Sequence, residues 1–195
     1  MCSVAVHRVI EQQAAVRGDM PAVIDDSRSL SYRELNQRAN LVARCLILHG
    51  FRRGHIAIVN MPRCHDLAVV CLGVLKAGGA YTWIEEDHSW PPGVSFEARA
   101  SEEGRYVAVD VSRPLTESPR QAPNLPILAR GTDLACVIGG SGEQARVQVA
   151  HETITALQAR NVPERTAWSN PLDLWIGLMA GAAVTLIPHA ALTAA

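Results

Sequence analysis

The sequence predicts an α/β fold, a mostly parallel sheet flanked by helices. Three observations carry this prediction. Short apolar runs suited to buried strands alternate with stretches whose apolar residues recur at helical spacing. Glycines stand where the helices should close. No internal repeat and no apolar run of membrane-spanning length competes with the pattern. With 195 residues, 48% of them hydrophobic, one domain can bury a substantial core.

Val6, Val9, Ile10 and Ala14 recur at helical spacing, which predicts an amphipathic helix over 5–17, ended by Gly18-Asp19. Ala22-Val23-Ile24 and Leu30-Ser31-Tyr32 read as two short strands joined by an Asp25-Asp26-Ser27 turn. A long helix follows from Arg33, burying Leu35, Ala39, Val42 and Leu46, with Ser31 and Glu34 placed for a capping box and Gly50 for closure. A strand is expected over 55–60, stopped by Met61-Pro62. Next comes a helix burying Leu67, Val70, Cys71, Val74 and Leu75, then Gly78-Gly79 and a strand over 80–84. This βαβαβ order argues for parallel strands with helical crossovers. Four prolines (Pro114, Pro119, Pro123, Pro126) predict a surface linker over 112–132, between a front α/β part, 1–111, and a back part, 133–195. In the back part a strand over 134–138 runs into Gly139-Gly140-Ser141-Gly142, a helix is expected over 151–160, and a last strand over 183–187.

Composition removes several function classes. Lys+Arg total 18 against Asp+Glu 19, for a net charge of -1, so there is no electrostatic footprint for nucleic acid or an anionic membrane. The N-terminus meets charge at His7-Arg8, too early for a signal peptide, which predicts a cytoplasmic protein. The five cysteines, Cys2, Cys45, Cys64, Cys71 and Cys136, form no C-x-x-C pair and read as reduced core residues. The basic residues comprise seventeen arginines and one lysine, Lys76.

Leu30-Ser31-Tyr32-Arg33-Glu34-Leu35 resembles the L-[TS]-Y-x-E-L segment of the amino-acid adenylation domains of nonribosomal peptide synthetases, and Leu75-Lys76-Ala77-Gly78-Gly79-Ala80-Tyr81 resembles their L-K-A-G-x-A-Y segment. The 133–138 strand and Gly177-Leu178-Met179-Ala180-Gly181-Ala182 are similar to later parts of the same domains, so the resemblance covers most of 5–187. It implies the partial N-terminal subdomain of the adenylate-forming fold. It also implies that the glycine turn stands where the family holds the ATP phosphates, leaving Gly140, Ser141 and Gly142 as a vestigial phosphate loop. The family's hydroxyl-rich half and lysine are missing there. Glu143 brings negative charge, and Arg146 is either a substitute cation or a surface arginine. An ordinary glycine turn is the alternative reading.

In the resemblance Trp168 occupies the position of the aspartate that binds the substrate's α-amino group, and Asp173 lies five residues too late to replace it. Trp168 and Trp175 read as core aromatics, with a sticky apolar surface as the alternative. Lys76, at a helix C-terminus, reads as a complement to the helix dipole rather than a phosphate ligand. His65-Asp66 suggests an acid/base dyad, but helix neighbours should face apart. His7, His49, His55, His88, His151 and His189 lack metal-ligand spacing, so no metal site is assigned. No catalytic residue is assigned either. The expectation is a noncatalytic adenylation-like domain in a nonribosomal peptide or hybrid assembly line, with no cofactor. Its partner would be an assembly-line protein or domain, a second copy of itself, or a small MbtH-like protein. The alternative is a split amino-acid-activating ligase that uses ATP and Mg²⁺ and needs a partner chain.

Overall fold

The computed structural model describes residues 4–84, 92–97, 106–116, 122–139, 146–157, 162–168 and 171–186. Helix α1 (Val6–Val16) leads to a hairpin of β1 (Pro21–Ile24) and β2 (Ser29–Ser31), and α2 (Tyr32–Leu48) follows at once. The predicted capping box closes its N-terminus, with the Glu34 amide donating to Ser31 Oγ at 3.3 Å and the Ser31 amide to Glu34 Oε2 at 2.9 Å. At the far end His49 caps the helix and Gly50 takes the positive φ, +93°, that turns the chain away. The chain continues through β3 (Ile56–Asn60), α3 (His65–Lys76), β4 (Ala80–Ile84), β5 (Gly93–Glu97), β6 (Tyr106–Val109), α4 (Ser112–Thr116), β7 (Leu134–Ile138) and β8 (Val147–Ala150). It ends with α5 (His151–Ala156), β9 (Arg165–Trp168), α6 (Asp173–Ala180) and β10 (Ala183–Leu186).

The strands form two sheets instead of one ladder. The larger has the order β6-β5-β3-β4-β7-β8, parallel through β3, β4 and β7 and antiparallel at β5, β6 and β8. The smaller has the order β2-β1-β10-β9, in which β1, β10 and β9 are parallel. This corrects two expectations. The predicted βαβαβ run splits, because β1 pairs with β10 in the smaller sheet while β3–α3–β4 forms a crossover between neighbours in the larger one. The sheets are also mixed rather than mostly parallel, since the antiparallel strands β5, β6 and β8 have no predicted counterpart. At four or five residues each, they show no periodicity long enough to read.

The described parts of the proline-rich stretch, 112–116 and 122–132, are held against the rest of the fold. Pro114 falls in the first turn of α4, where a missing N–H costs no hydrogen bond, and the Ser112 amide donates to Asp110 Oδ1 at 2.8 Å. Residues 122–130 carry neither helix nor strand, yet they are fastened to α2. Asn40 Nδ2 donates to the Ala122 carbonyl at 2.6 Å, and Arg44 Nη2 to that of Pro123 at 2.6 Å. Helix α5 follows the prediction at its start; the expected residues 158–160 lie outside the described residues.

The core is continuous across both sheets and the helices between them. Trp175 is fully buried and donates its indole N–H to the Tyr81 hydroxyl at 2.7 Å, which makes it the core aromatic expected. The Tyr32 hydroxyl lies 2.9 Å from the Leu178 carbonyl and 2.8 Å from that of Ala182 and donates to one or the other, tying the start of α2 to the end of α6. Lys76 corrects the sequence reading. Its side chain is 1% exposed and its ammonium lies 2.5 Å from Glu11 Oε1, so it is half of a buried ion pair linking α3 to α1. Burial brings its pKa down to about 8 against the pull of Glu11.

His7 and His151, both buried, join α1 to α5 with their ring centroids 5.9 Å apart. Burial, with His151, Lys76 and Arg8 nearby, lowers the pKa of His7 to about 3, and burial outweighs Asp133 to lower that of His151 to about 4.

Two outcomes follow from these buried charges. Lys76→Met leaves the buried Glu11 carboxylate with Arg8 alone and should cost about 3 kcal/mol in urea unfolding, most of it recovered in the double variant Lys76→Met, Glu11→Leu. Below pH 6.5 the unfolded chain binds protons that His7 and His151 refuse in the fold, so stability is lost as the pH falls from 6.5 toward about 4 and then 3. The loss should approach roughly 1.4 kcal/mol per pH unit for each histidine. Thermal melts from pH 7.5 to 4.5 should show it, with a shallower slope in His7→Leu.

Candidate functional site

β7 leads to Gly139 at the end of the larger sheet. It lies between β4 and β8, and Ile138 stands opposite Val147, so residues 139–146 join two antiparallel strands. Gly139 has φ +140°, a region that a side chain with Cβ disfavours, and this explains a glycine at that position. Gly140, Ser141 and Gly142, the vestigial phosphate-loop residues, lie outside the described residues, as does Glu143. Arg146 is exposed at the start of β8.

Beside Gly139, below the ends of β4 and β7, a cleft runs back to Leu67 and Cys71 of α3. Trp83 of β4 and Trp168 of β9 form one wall, their ring centroids 5.8 Å apart and inclined by 41°. Both indoles meet one guanidinium. Arg63 Cζ lies 5.1 Å from the Trp83 ring centroid and 5.3 Å from that of Trp168. Arg63 Nη1 also donates to the Trp168 carbonyl at 2.9 Å, and Trp83 Nε1 donates to the Met61 carbonyl at 2.8 Å. The cluster therefore pins the end of the smaller sheet to the larger one. Trp168 is 3% exposed, which makes it a buried residue and not a sticky surface. Sequence reasoning placed Trp168 correctly in the core but missed Arg63 and Trp83, because no periodic signal links positions 63, 83 and 168.

The other candidates lie away from this cleft. Lys76 is paired with Glu11. His65 and Asp66 do approach each other, contrary to expectation, with His65 Nε2 3.1 Å from Asp66 Oδ1. The reason is local. His65 opens α3, and its Nδ1 donates to the Asp25 carboxylate in the β1–β2 turn, which swings the ring around. Arg28 Nε donates to His65 Nε2 at 2.9 Å, so that nitrogen serves as an acceptor in a structural hydrogen-bond chain. Desolvation pushes the Asp25 carboxyl upward, but hydrogen bonds from Ser27, His65 and the Arg28 amide outweigh it and hold the group below the usual carboxylate range. Cys71 and Cys136 line the cleft as buried neutral thiols; burial pushes Cys71 far up and Cys136 to about 12. Among the described residues no group of three His, Cys, Asp or Glu side chains could hold a metal ion, and no helix is long and apolar enough to cross a membrane.

The strand order, the capping box and the strand that leads to Gly139 can be set beside known proteins. The family model described as AMP-binding enzyme matches residues 10–135. The chain belongs to that family. Within it the relatives are nonribosomal peptide synthetases. Tyrocidine synthase 3 of Brevibacillus parabrevis is 34% identical over 170 residues, covering 77% of this chain and 2% of its own length. Tyrocidine synthase 1 of the same organism is 30% identical over 176 residues, covering 80% of this chain and 16% of its own. Among solved structures, the Klebsiella oxytoca NpsA N-terminal subdomain superposes with a TM-score of 0.76 at 19% identity, over 96% of this chain and 56% of that one. The nonribosomal peptide synthetase FmoA3, in its AMPPNP-bound form, gives 0.77 at 22% identity, over 95% of this chain and 23% of its own. This AMP-binding-family chain is therefore similar to part of the nonribosomal peptide synthetases, has the fold of the NpsA N-terminal subdomain, and spans about half of that subdomain's length.

Arg63→Ala removes the cation that caps both indoles. It should destabilise the fold by about 2 kcal/mol and shift tryptophan emission to the red, both measurable in one urea titration.

Proposed function

We propose that this adenylation-domain fragment acts as a noncatalytic element of a nonribosomal peptide or hybrid assembly line, in a structural or interaction role rather than by forming an aminoacyl adenylate. The observation that carries this reading is Trp168. At the position where the family resemblance puts an aspartate for the substrate's ammonium group, the chain has a buried indole held by the Arg63 guanidinium. Among the described residues that line the cleft, an ammonium group there meets the Arg63 cation and no carboxylate. ATP with Mg²⁺ fits the described residues poorly as well. The single lysine is consumed by Glu11, and adenylate formation needs cations against the α-phosphate and leaving pyrophosphate.

The partner favoured is a neighbouring assembly-line domain or protein; a solved relative is an artificially fused adenylation–PCP di-domain from Klebsiella oxytoca. Self-association and an MbtH-like protein are the competing partners. A second reading, a split ligase completed by another chain, draws on β7 leading to Gly139 and the Gly-Gly-Ser-Gly segment of the sequence.

ATP–pyrophosphate exchange across the amino acids, run with and without candidate partner proteins, separates the two readings. No exchange above blank is expected. Exchange that disappears in Ser141→Ala or Arg146→Ala would establish the ligase instead. Light scattering of the chain alone and with a neighbouring assembly-line protein should show a complex, and a lone monomer in every mixture would count against the interaction role.

A further inference from the structure

The first turn of α3 holds a cluster of charged groups that the proposed role leaves unused. Asp25 of the β1–β2 turn fixes its geometry. One carboxylate oxygen accepts from the Ser27 hydroxyl at 2.6 Å, the Ser27 amide at 2.9 Å and the Arg28 amide at 3.0 Å. The other accepts from the His65 amide at 2.9 Å and from His65 Nδ1. A carboxylate that accepts this many hydrogen bonds stays ionised and cannot donate, so Nδ1 carries the ring proton and only Nε2 is left to titrate. Arg28 Nε donates to Nε2 at 2.9 Å, which requires that nitrogen to be bare. Asp66 Oδ1 lies 3.1 Å from the same nitrogen, buried and without a hydrogen-bond partner among the described residues. Such an oxygen is costly to leave unpaired, and here it faces a lone pair. One proton on Nε2 reverses both relations, because the imidazolium donates to Asp66 and can no longer accept from Arg28. We propose that His65 is a proton-operated latch between the β1–β2 turn and α3, holding Arg28 when neutral and exchanging it for Asp66 when protonated.

The charges around His65 oppose one another. Asp25 and Asp66 favour the imidazolium, whereas the Arg28 guanidinium and the N-terminal end of α3 disfavour it. From α2, Arg38 stands within electrostatic reach of Arg28 and Asp66, and Glu34 within reach of both arginines. Cys64, the residue before α3, adds no charge, because burial raises its thiol and keeps it neutral. Arg28 also has room to leave. Its side chain is 40% exposed, with Nη2 3.7 Å from Asp66 Oδ1.

Imidazole nitrogen NMR of the full chain, titrated from about pH 8 to 5, reads the ring, and hydrogen exchange at Arg28 Nε reads the latch. At the alkaline end only Nδ1 of His65 should carry a proton. As Nε2 gains one, protection at Arg28 Nε, measured against a free guanidinium at the same pH, should fall at least about tenfold in step. The Val6 amide, which donates to His151 Nδ1, serves as the control for general loosening and should keep its protection across that range. Asp66→Asn removes the attracting charge and should move the step to lower pH. Arg28→Ala removes the competing donor and should move it to higher pH. In His65→Gln no second proton can enter, so Arg28 protection should not vary with pH. If the variants misfold, the wild-type titration decides. The latch is overturned by Arg28 Nε staying protected once Nε2 is protonated, by Nδ1 being the bare nitrogen, or by no proton uptake at His65 in this range. Loss of protection at Val6 and Arg28 together, or a step that neither folded variant moves, overturns it as well.

Discussion

Lys76 closes α3 with its ammonium 1% exposed, and four parts of the molecule meet around it. Glu11 of α1 accepts its hydrogen bond at 2.5 Å, and Arg8, one turn away, holds the other Glu11 oxygen at 2.6 Å. Asn124 Oδ1 lies 3.5 Å from Lys76 Nζ and also accepts from Asn36 and Asn40 of α2, at 2.9 and 3.1 Å. A charge taken this far from water must be matched by fixed partners, and the need to supply them determines where α1 lies, where the 122–124 strap crosses, and which face α2 turns toward it. Hydrophobic burial supplies most of the driving force, but it is non-directional. The buried ion pair adds the register.

That network also explains what could be read from the sequence and what could not. Helices α1, α2 and α3 were legible because their apolar positions repeat over several turns and Ser31, Glu34 and Gly50 mark the boundaries of α2. Lys76 was not. A lysine at the end of an apolar helix is ordinarily solvated beside the negative pole, and Glu11 stands 65 positions away with nothing local to name it as the partner. The division into two sheets was hidden for the same reason, because β1 and β10 declare their pairing only in three dimensions. Pro114 was read as a helix breaker because position within the first turn, where proline is tolerated, cannot be known before the turn is.

The candidate site was legible in outline. The strand over 134–138 came from its apolar run and is β7, and the tryptophan at the substrate-anchor position came from motif spacing. The cluster that makes the cleft distinctive did not, because Arg63, Trp83 and Trp168 come from a loop and two strands of different sheets. Only tertiary packing brings a guanidinium within cation–π range of both rings. The residues that distinguish this chain from the motif pattern of its family are thus held by contacts outside that pattern.

The pairing of β1 with β10 also bears on the order of events during synthesis. Val23 sits opposite Val184, and Tyr32 waits for a carbonyl 146 positions downstream. The hairpin of β1 and β2 emerges early from the ribosome but has no sheet to join until β10 arrives, whereas β3, α3 and β4 can assemble as a local unit. For most of translation the edge of β1 is an unpaired row of amides and carbonyls beside apolar Val23 and Ile24, the kind of edge that invites pairing with the wrong strand. The smaller sheet is therefore the part of this protein most exposed to misassembly, and the slow step of folding should be its closure.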